Sequence, residues 1–225
     1  MSQLSAIARS GLLVAVNVST YSGRKQDKRT QAEVVSSKGS GSARAATVYK
    51  SLFADCPELD AITKFQARAR SRHYSMTLPW NDNGLRLLPA RTLMDYKAEM
   101  NRCASEFDLL VGKFLDKYDV LVSAAAFKLG TLFDRDEYPM RDQVARKFSF
   151  DVDFTPLPTA GDFRVDVENE ALAELAQEYD KRLAQQLAAA QQDAWTRTYD
   201  ALARLKDRLT LNEDGSRRTF HATTV

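Results

Sequence analysis

The sequence predicts an α+β fold. Two long antiparallel helices form a coiled-coil-like stalk, and a strand with two hairpins builds a small β-rich head. Three observations predict it. From Thr92 to about Ala124 the apolar residues Leu93, Tyr96, Met100, Cys103, Phe107, Leu110, Phe114 and Leu121 follow one another in steps of three and four, the spacing of one helical face. Only the slot between Phe114 and Leu121 is imperfect, where Lys117 takes the strict position beside Tyr118. A second periodic run, about 168–211, carries Leu172, Leu175, Tyr179, Leu183, Leu187, Ala190, Ala194, Tyr199, Leu202, Leu205 and Leu209, with Trp195 beside it. At 1.5 Å per residue it spans on the order of 60 Å, enough to serve as the partner. Finally, three segments alternate with period two, and each leaves an apolar face that needs covering.

In chain order, 11–18 reads as a strand with Leu12, Val14, Val16 and Val18 on one face and Leu13 and Ala15 on the other, so its start is expected to be buried on both sides. Residues 20–29 make a polar basic turn, 27–36 one short helix, and the glycine- and serine-rich 36–42 a flexible connector. Two helices are predicted over 43–54 and 59–73, separated by Asp55-Cys56-Pro57-Glu58, with Pro57 suited to a first helical position. In 75–88, Met76, Leu78 and Trp80 alternate, Asn81-Asp-Asn-Gly84 turns, and Leu85 and Leu87 return, the strongest local hairpin cue in the chain. Thr92 is the expected N-cap of the first long helix. Residues 123–132 continue that helix or kink at Gly130, and 140–147 form a short helix. Phe148, Phe150, Val152 and Phe154 then alternate with Ser149, Asp151 and Asp153, and Phe163, Val165 and Val167 supply the matching face of a second hairpin. The last helix ends with Lys206 and Arg208, which suit the negative end of its dipole. The polar tail 212–225 is read as a loose strand. The organisation predicted is a basic head segment (1–91), the first stalk helix (92–133), a short helix and hairpin (134–167), the C-terminal helix (168–211) and the tail, together one structural domain.

Composition narrows the function classes. Of 225 residues, 28% are charged and 44% apolar, ordinary for a globular protein. Cys56 and Cys103 have no CxxC spacing, which argues against a zinc site or disulfide framework and for a reducing cytoplasm. No apolar run approaches the length of a transmembrane span, and 12–18 is too short for a signal peptide, so no membrane is expected. Gly39-Ser-Gly41 lacks both a preceding strand and a following Gly-Lys-Ser/Thr, so it is not a phosphate loop. His73 and His221 are the only histidines, and no Gly-x-Ser-x-Gly elbow is present. Asp151, Asp153 and Asp166 are the one acidic set that suits Mg²⁺, but alternating aspartates beside Arg164 read better as a solvated strand face. No catalytic residue, metal ligand or cofactor is therefore expected.

The near-neutral total hides an asymmetry. Residues 1–91 hold 14 Lys/Arg against 6 Asp/Glu, and 92–225 hold 18 against 24. Such a basic end suits an anionic partner, or the acidic end of another copy. The candidate DNA- or RNA-binding residues are Arg24, Lys25, Lys28 and Arg29 in one cluster and Lys64, Arg68, Arg70, Arg72 and His73 in another. Lys64, Arg68 and Arg72 share a helical stripe that suits phosphates. Trp80, Tyr21 and Tyr74 are candidates to stack on bases. The competing reading is a solvated face that neutralises the acidic helices. For stalk packing and zipping between copies the candidates are Leu93, Tyr96, Met100, Phe107, Leu110, Phe114, Leu183, Leu187, Trp195 and Leu202, so a homo-oligomer is expected.

Two stretches carry a resemblance. In 12–29 a strand leads into Tyr21-Ser-Gly-Arg-Lys-Gln-Asp-Lys28, and His73-Tyr-Ser-Met-Thr-Leu-Pro-Trp80 is followed by Gly84-Leu-Arg-Leu-Leu-Pro89. This wording resembles a phage and mobile-element family of uncharacterised proteins. Its genes tend to lie near those of a MoxR-type AAA ATPase and a CobT-like, von Willebrand A-like protein, sometimes beside recombination genes. The resemblance implies an adaptor or structural subunit that works with a remodelling ATPase in the bacterial host cytoplasm, and it brings no catalytic residues.

Overall fold

Most elements form where the apolar spacing places them. The computed structural model describes residues 11–42, 44–81, 84–157 and 169–209, with the side chains of all but 169–176 and 209. In order the elements are β1 (Gly11–Ser19), β2 (Arg24–Gln26), α1 (Lys28–Ser37), β3 (Tyr49–Ser51), α2 (Pro57–Met76), β4 (Leu78–Pro79), β5 (Arg86–Pro89), α3 (Leu93–Asp116), α4 (Tyr118–Leu129), α5 (Arg141–Ala145), β6 (Ser149–Pro156) and α6 (Asn169–Leu209). One sheet has the order β4-β5-β1-β6, and β2 and β3 form a separate ribbon. Helices and strands are mixed along the chain, so the class is α+β as expected. The second strand of the second hairpin (163–167) and the tail (212–225) lie outside the described residues.

The chain divides into two compact units, one of residues 1–15, 72–97 and 153–225 and the other of 16–71 and 98–152. In the first, β5 runs antiparallel to β1 with Leu12 opposite Leu88 and Leu13 opposite Leu87. β4 returns against β5 with Leu78 opposite Leu87, the hairpin foreseen around Asn81 and Gly84. Its first arm is shorter than expected, because Ser75 and Met76 remain in α2. The core of this unit joins Leu13, Trp80, Leu87 and Leu157 to Leu183, Leu187 and Ala190 of α6. These are the apolar residues of a sheet face and of one helical stripe, the two surfaces that most need each other.

The second unit is built on aromatic rings. Phe53 lies 5.7 Å from Phe114, 5.6 Å from Tyr118 and 5.4 Å from Tyr138 between centroids. Phe107 meets Phe65 at 5.7 Å and Phe150 at 6.0 Å. Edge-on and tilted ring pairs of this kind add stabilisation beyond the area they bury. Two buried tyrosines keep their hydroxyls satisfied: Tyr118 donates to the Pro139 carbonyl at 2.7 Å and Tyr138 to that of Leu52 at 2.8 Å. Gly23, at φ +59°, turns the chain into β2 where a Cβ would stand 3.1 Å from both Leu59 and Phe53, so both backbone and space call for glycine.

Two expectations change. The helix predicted over 43–54 does not form. Val48 and Tyr49 enter an extended segment in which Tyr49 pairs with Gln26, Lys50 with Lys25 and Ser51 with Arg24. The Leu52 amide donates to the Gly23 carbonyl at 2.7 Å. β-branched and aromatic residues fit a pleated ribbon, and this one delivers Leu52 and Phe53 to the core. The first long helix is not continuous either. It breaks at Lys117, the flawed seam position, whose ammonium reaches Glu58 at 2.6 Å while Tyr118 turns inward. In the units described, the α6 stripe covers sheet residues, and Phe107 and Phe114 of α3 meet rings from α2, Phe53 and Phe148. Helical spacing marks a buried face without naming what covers it.

Phe107→Ala is expected to cost about 3–5 kcal/mol in urea denaturation, as emptying a buried aromatic site does. Phe127→Ala, at a position 92% exposed, should stay within about 0.5 kcal/mol of the parent. Equal losses would refute the packing described.

Candidate interaction surface

The residues that set this surface begin at the C-terminus of α2, where backbone carbonyls lack helical partners. Two arginines supply donors. The Arg197 guanidinium of α6 donates to the Tyr74 carbonyl at 2.9 Å and also pairs with Asp193 at 2.8 Å. Arg86 of β5 donates to the Thr77 hydroxyl at 2.7 Å and carbonyl at 3.1 Å, and lies 4.7 Å from the centre of the Tyr74 ring. Thr77 in turn donates to the His73 carbonyl at 2.6 Å. Cations at a helix C-terminus also oppose its dipole favourably.

His73, a candidate for phosphate contact, is buried here with its Nδ1 2.8 Å from the Tyr96 hydroxyl. Burial, with the nearby Arg86 charge, pulls its pKa down to about 4. It is a neutral core group, and a phosphate does not reach it. Trp80 is likewise in the core beside Leu183 and Leu187, so it is no stacking platform. Tyr21 is buried too, and only Tyr74 of the three aromatic candidates is exposed.

The other basic candidates are all exposed. Arg24 and Lys25 lie on β2, Lys28 and Arg29 in the first turn of α1, and Lys64, Arg68, Arg70 and Arg72 on α2. Several face acids. Arg68 pairs with Glu106, Arg29 with Glu33 at 3.4 Å and Lys25 with Glu137 at 3.9 Å. A cleft of about 680 Å³ beside α1 is lined by Lys25, Lys28, Arg29 and Lys50, but also by Asp27, Glu33, Asp134 and Glu137. Four cations against four acids make no net field for a phosphate chain.

Of the stalk candidates, Tyr96, Met100, Phe107, Phe114, Leu183 and Leu187 are buried, and Leu93 and Leu110 partly so. Trp195 and Leu202 are not: they are 71% and 60% exposed, and Tyr199 between them 73%. At 100° per residue the inward stripe of α6 runs through buried Leu183, Leu187 and Ala190 and half-buried Arg197, Ala201 and Leu205, and Trp195, Tyr199 and Leu202 fall roughly 120° away. Tyr199 and Leu202, expected on the core stripe, lie off it, and Arg197, which that expectation did not include, lies on it. Strict phase-keeping from Leu183 would have found both.

Asp151 and Asp153 are exposed on β6, and Asp166 lies outside the described residues. Among the described residues there is no group of three or more His, Cys, Asp or Glu placed to hold a metal, and no helix long and apolar enough to cross a membrane. The chain matches no protein-family model, no curated protein and no solved structure.

The His73 shift has a definite sign. Its folded pKa of about 4 lies below the ordinary 6.5, so between these values the unfolded chain binds a proton that the folded chain refuses. Stability is expected to fall as pH drops from about 6.5 to about 4 through this group, with no contribution above that window. Urea midpoints across pH 4–8 for the parent and His73→Gln test it. A parent and variant with the same slope would remove His73 from the account.

Proposed function

We propose that the chain is a non-enzymatic accessory protein of phages or mobile elements that self-assembles and acts as an adaptor or structural subunit. Its working partner on this reading is a MoxR-type AAA ATPase, with a von Willebrand A-like protein alongside, in the bacterial host cytoplasm. The observation that carries the reading is the outward stripe of α6: Trp195, Tyr199 and Leu202 stand more than half exposed on one face of a long helix. Large apolar side chains gathered on one exposed face mark association surfaces. The long antiparallel helical pair expected within the chain belongs, on this proposal, between copies. The resemblance carried by 12–29 and 73–89 supplies the ATPase partner and the phage setting.

A second reading, DNA or RNA binding by the basic N-terminal third, is favoured by the exposure of Arg24, Lys28, Lys64 and Arg70. It ranks second because Lys25, Arg29 and Arg68 already face acids and His73 and Trp80 are buried.

Light scattering at rising concentration should show an oligomer that Trp195→Asp with Leu202→Asp reduces to a monomer. A monomeric parent would refute self-assembly. A salt titration with labelled DNA and RNA is expected to show weak binding of low salt dependence. A steep slope, of several phosphate contacts, would instead move the second reading to first place.

A further inference from the structure

The outer stripe of α6 has more pattern than exposure alone. Within about 60° of its centre line the helix presents Ala184, Ala188, Gln191, Gln192, Trp195, Thr198, Tyr199 and Leu202, and no charged residue from 183 to 205. Asp193, Arg197, Asp200 and Arg204 all fall on other faces. Lys206 closes the stripe at its C-terminal end. An uncharged seam on a helix otherwise rich in charge discriminates against phosphate chains and strongly charged partners. Ala188, Trp195 and Leu202 recur at intervals of seven, the repeat with which helices zip together.

We propose that the occupant of this stripe is the same stripe of a second copy, running antiparallel about a two-fold axis between Thr198 and Tyr199. The proposal rests on the self-assembly reading above and gives that assembly its partner and direction. In this register Trp195 of each copy packs on Leu202 of the other, ring against branched aliphatic, because the two lie equally far from the axis. Lys206 comes opposite Gln191. Parallel pairing in register would instead set Lys206 against Lys206 and align the two helix dipoles, both unfavourable. Antiparallel pairing opposes the dipoles.

The area is sufficient. A fully covered aromatic side chain contributes roughly 150–250 Å², so at the exposures above Trp195 and Tyr199 of two copies supply on the order of 600 Å². Leu202 and the small and amide side chains along roughly 27 Å of helix extend this toward the 1,200 Å² or so at which specific interfaces begin.

Cysteine cross-linking of the full chain reads the direction. Cys56 and Cys103 are buried, so an added thiol is the accessible one. With copper–phenanthroline, Thr198→Cys should give a covalent dimer of doubled mass. Ala188→Cys should not, since its two copies would stand about 30 Å apart along the axis. Cross-linking at Ala188→Cys would mean parallel pairing and overturn the proposal while leaving self-assembly intact. An oligomer by light scattering that cross-links at neither position would place assembly on another surface, with the same consequence. A strictly monomeric parent would overturn both, and the stripe would then belong to a different occupant.

Discussion

The orientation of α6 depends on one set of contacts, the arginines that satisfy the end of α2. A helix terminus with unpaired carbonyls must find donors or water, and here Arg197 and Arg86 provide them. Arg197 lies in phase with Leu183, Leu187 and Ala190, so the polar anchor and the apolar stripe agree on which side of α6 faces inward. Once that side is chosen, Trp195, Tyr199 and Leu202 have no place in the core of this unit. Their exposure is the geometric remainder of a capping requirement met elsewhere on the same helix.

The other unit settles its interior differently. Its centre is filled by phenylalanine and tyrosine rings at centroid separations of 5.4–5.7 Å around Phe53. Such rings cover broad areas from short elements, which lets a three-residue ribbon and a five-residue helix contribute to a core that two long helices would otherwise supply. The Tyr118 and Tyr138 hydroxyls are tied to carbonyls, and burial together with neighbouring charges raises the Tyr138 pKa to about 12. Those groups stay protonated and donating at any physiological pH. Lys50 makes the same kind of contribution at the ribbon, pairing with Glu137 at 2.7 Å and donating to the Leu132 carbonyl at 2.7 Å.

Much of the fold was legible in the sequence because period and turn chemistry are local. The alternation of Leu12–Val18, the hairpin around Gly84 and Pro57 opening α2 are all read within a few residues. What was not legible depends on distant partners. Nothing local in 43–54 says that Lys50 will lie opposite Lys25, and helical propensity there yields to the ribbon that buries Leu52 and Phe53. His73 and Trp80 looked like surface chemistry because basic and aromatic neighbours surround them in sequence. Their burial is decided by Tyr96 and by Leu183 and Leu187, far along the chain. Arg197 was missed for the complementary reason, a charged residue whose position on the inner stripe matters more than its polarity.

The charge split between the two ends of the sequence takes on another meaning in this light. Acidic side chains from 98–152 come to the bases of 16–71: Glu106 to Arg68, and Glu137 to Lys25 and Lys50. Part of the chain-level asymmetry is thus paired inside one unit, because residues far apart in sequence are neighbours in the fold. Exposed pairs of this kind add little stability, but they weaken the positive field that phosphate binding needs. The exposed stripe of α6 around Trp195, Tyr199 and Leu202 is apolar rather than charged. That difference in kind is why the proposal places association through α6 ahead of nucleic-acid binding.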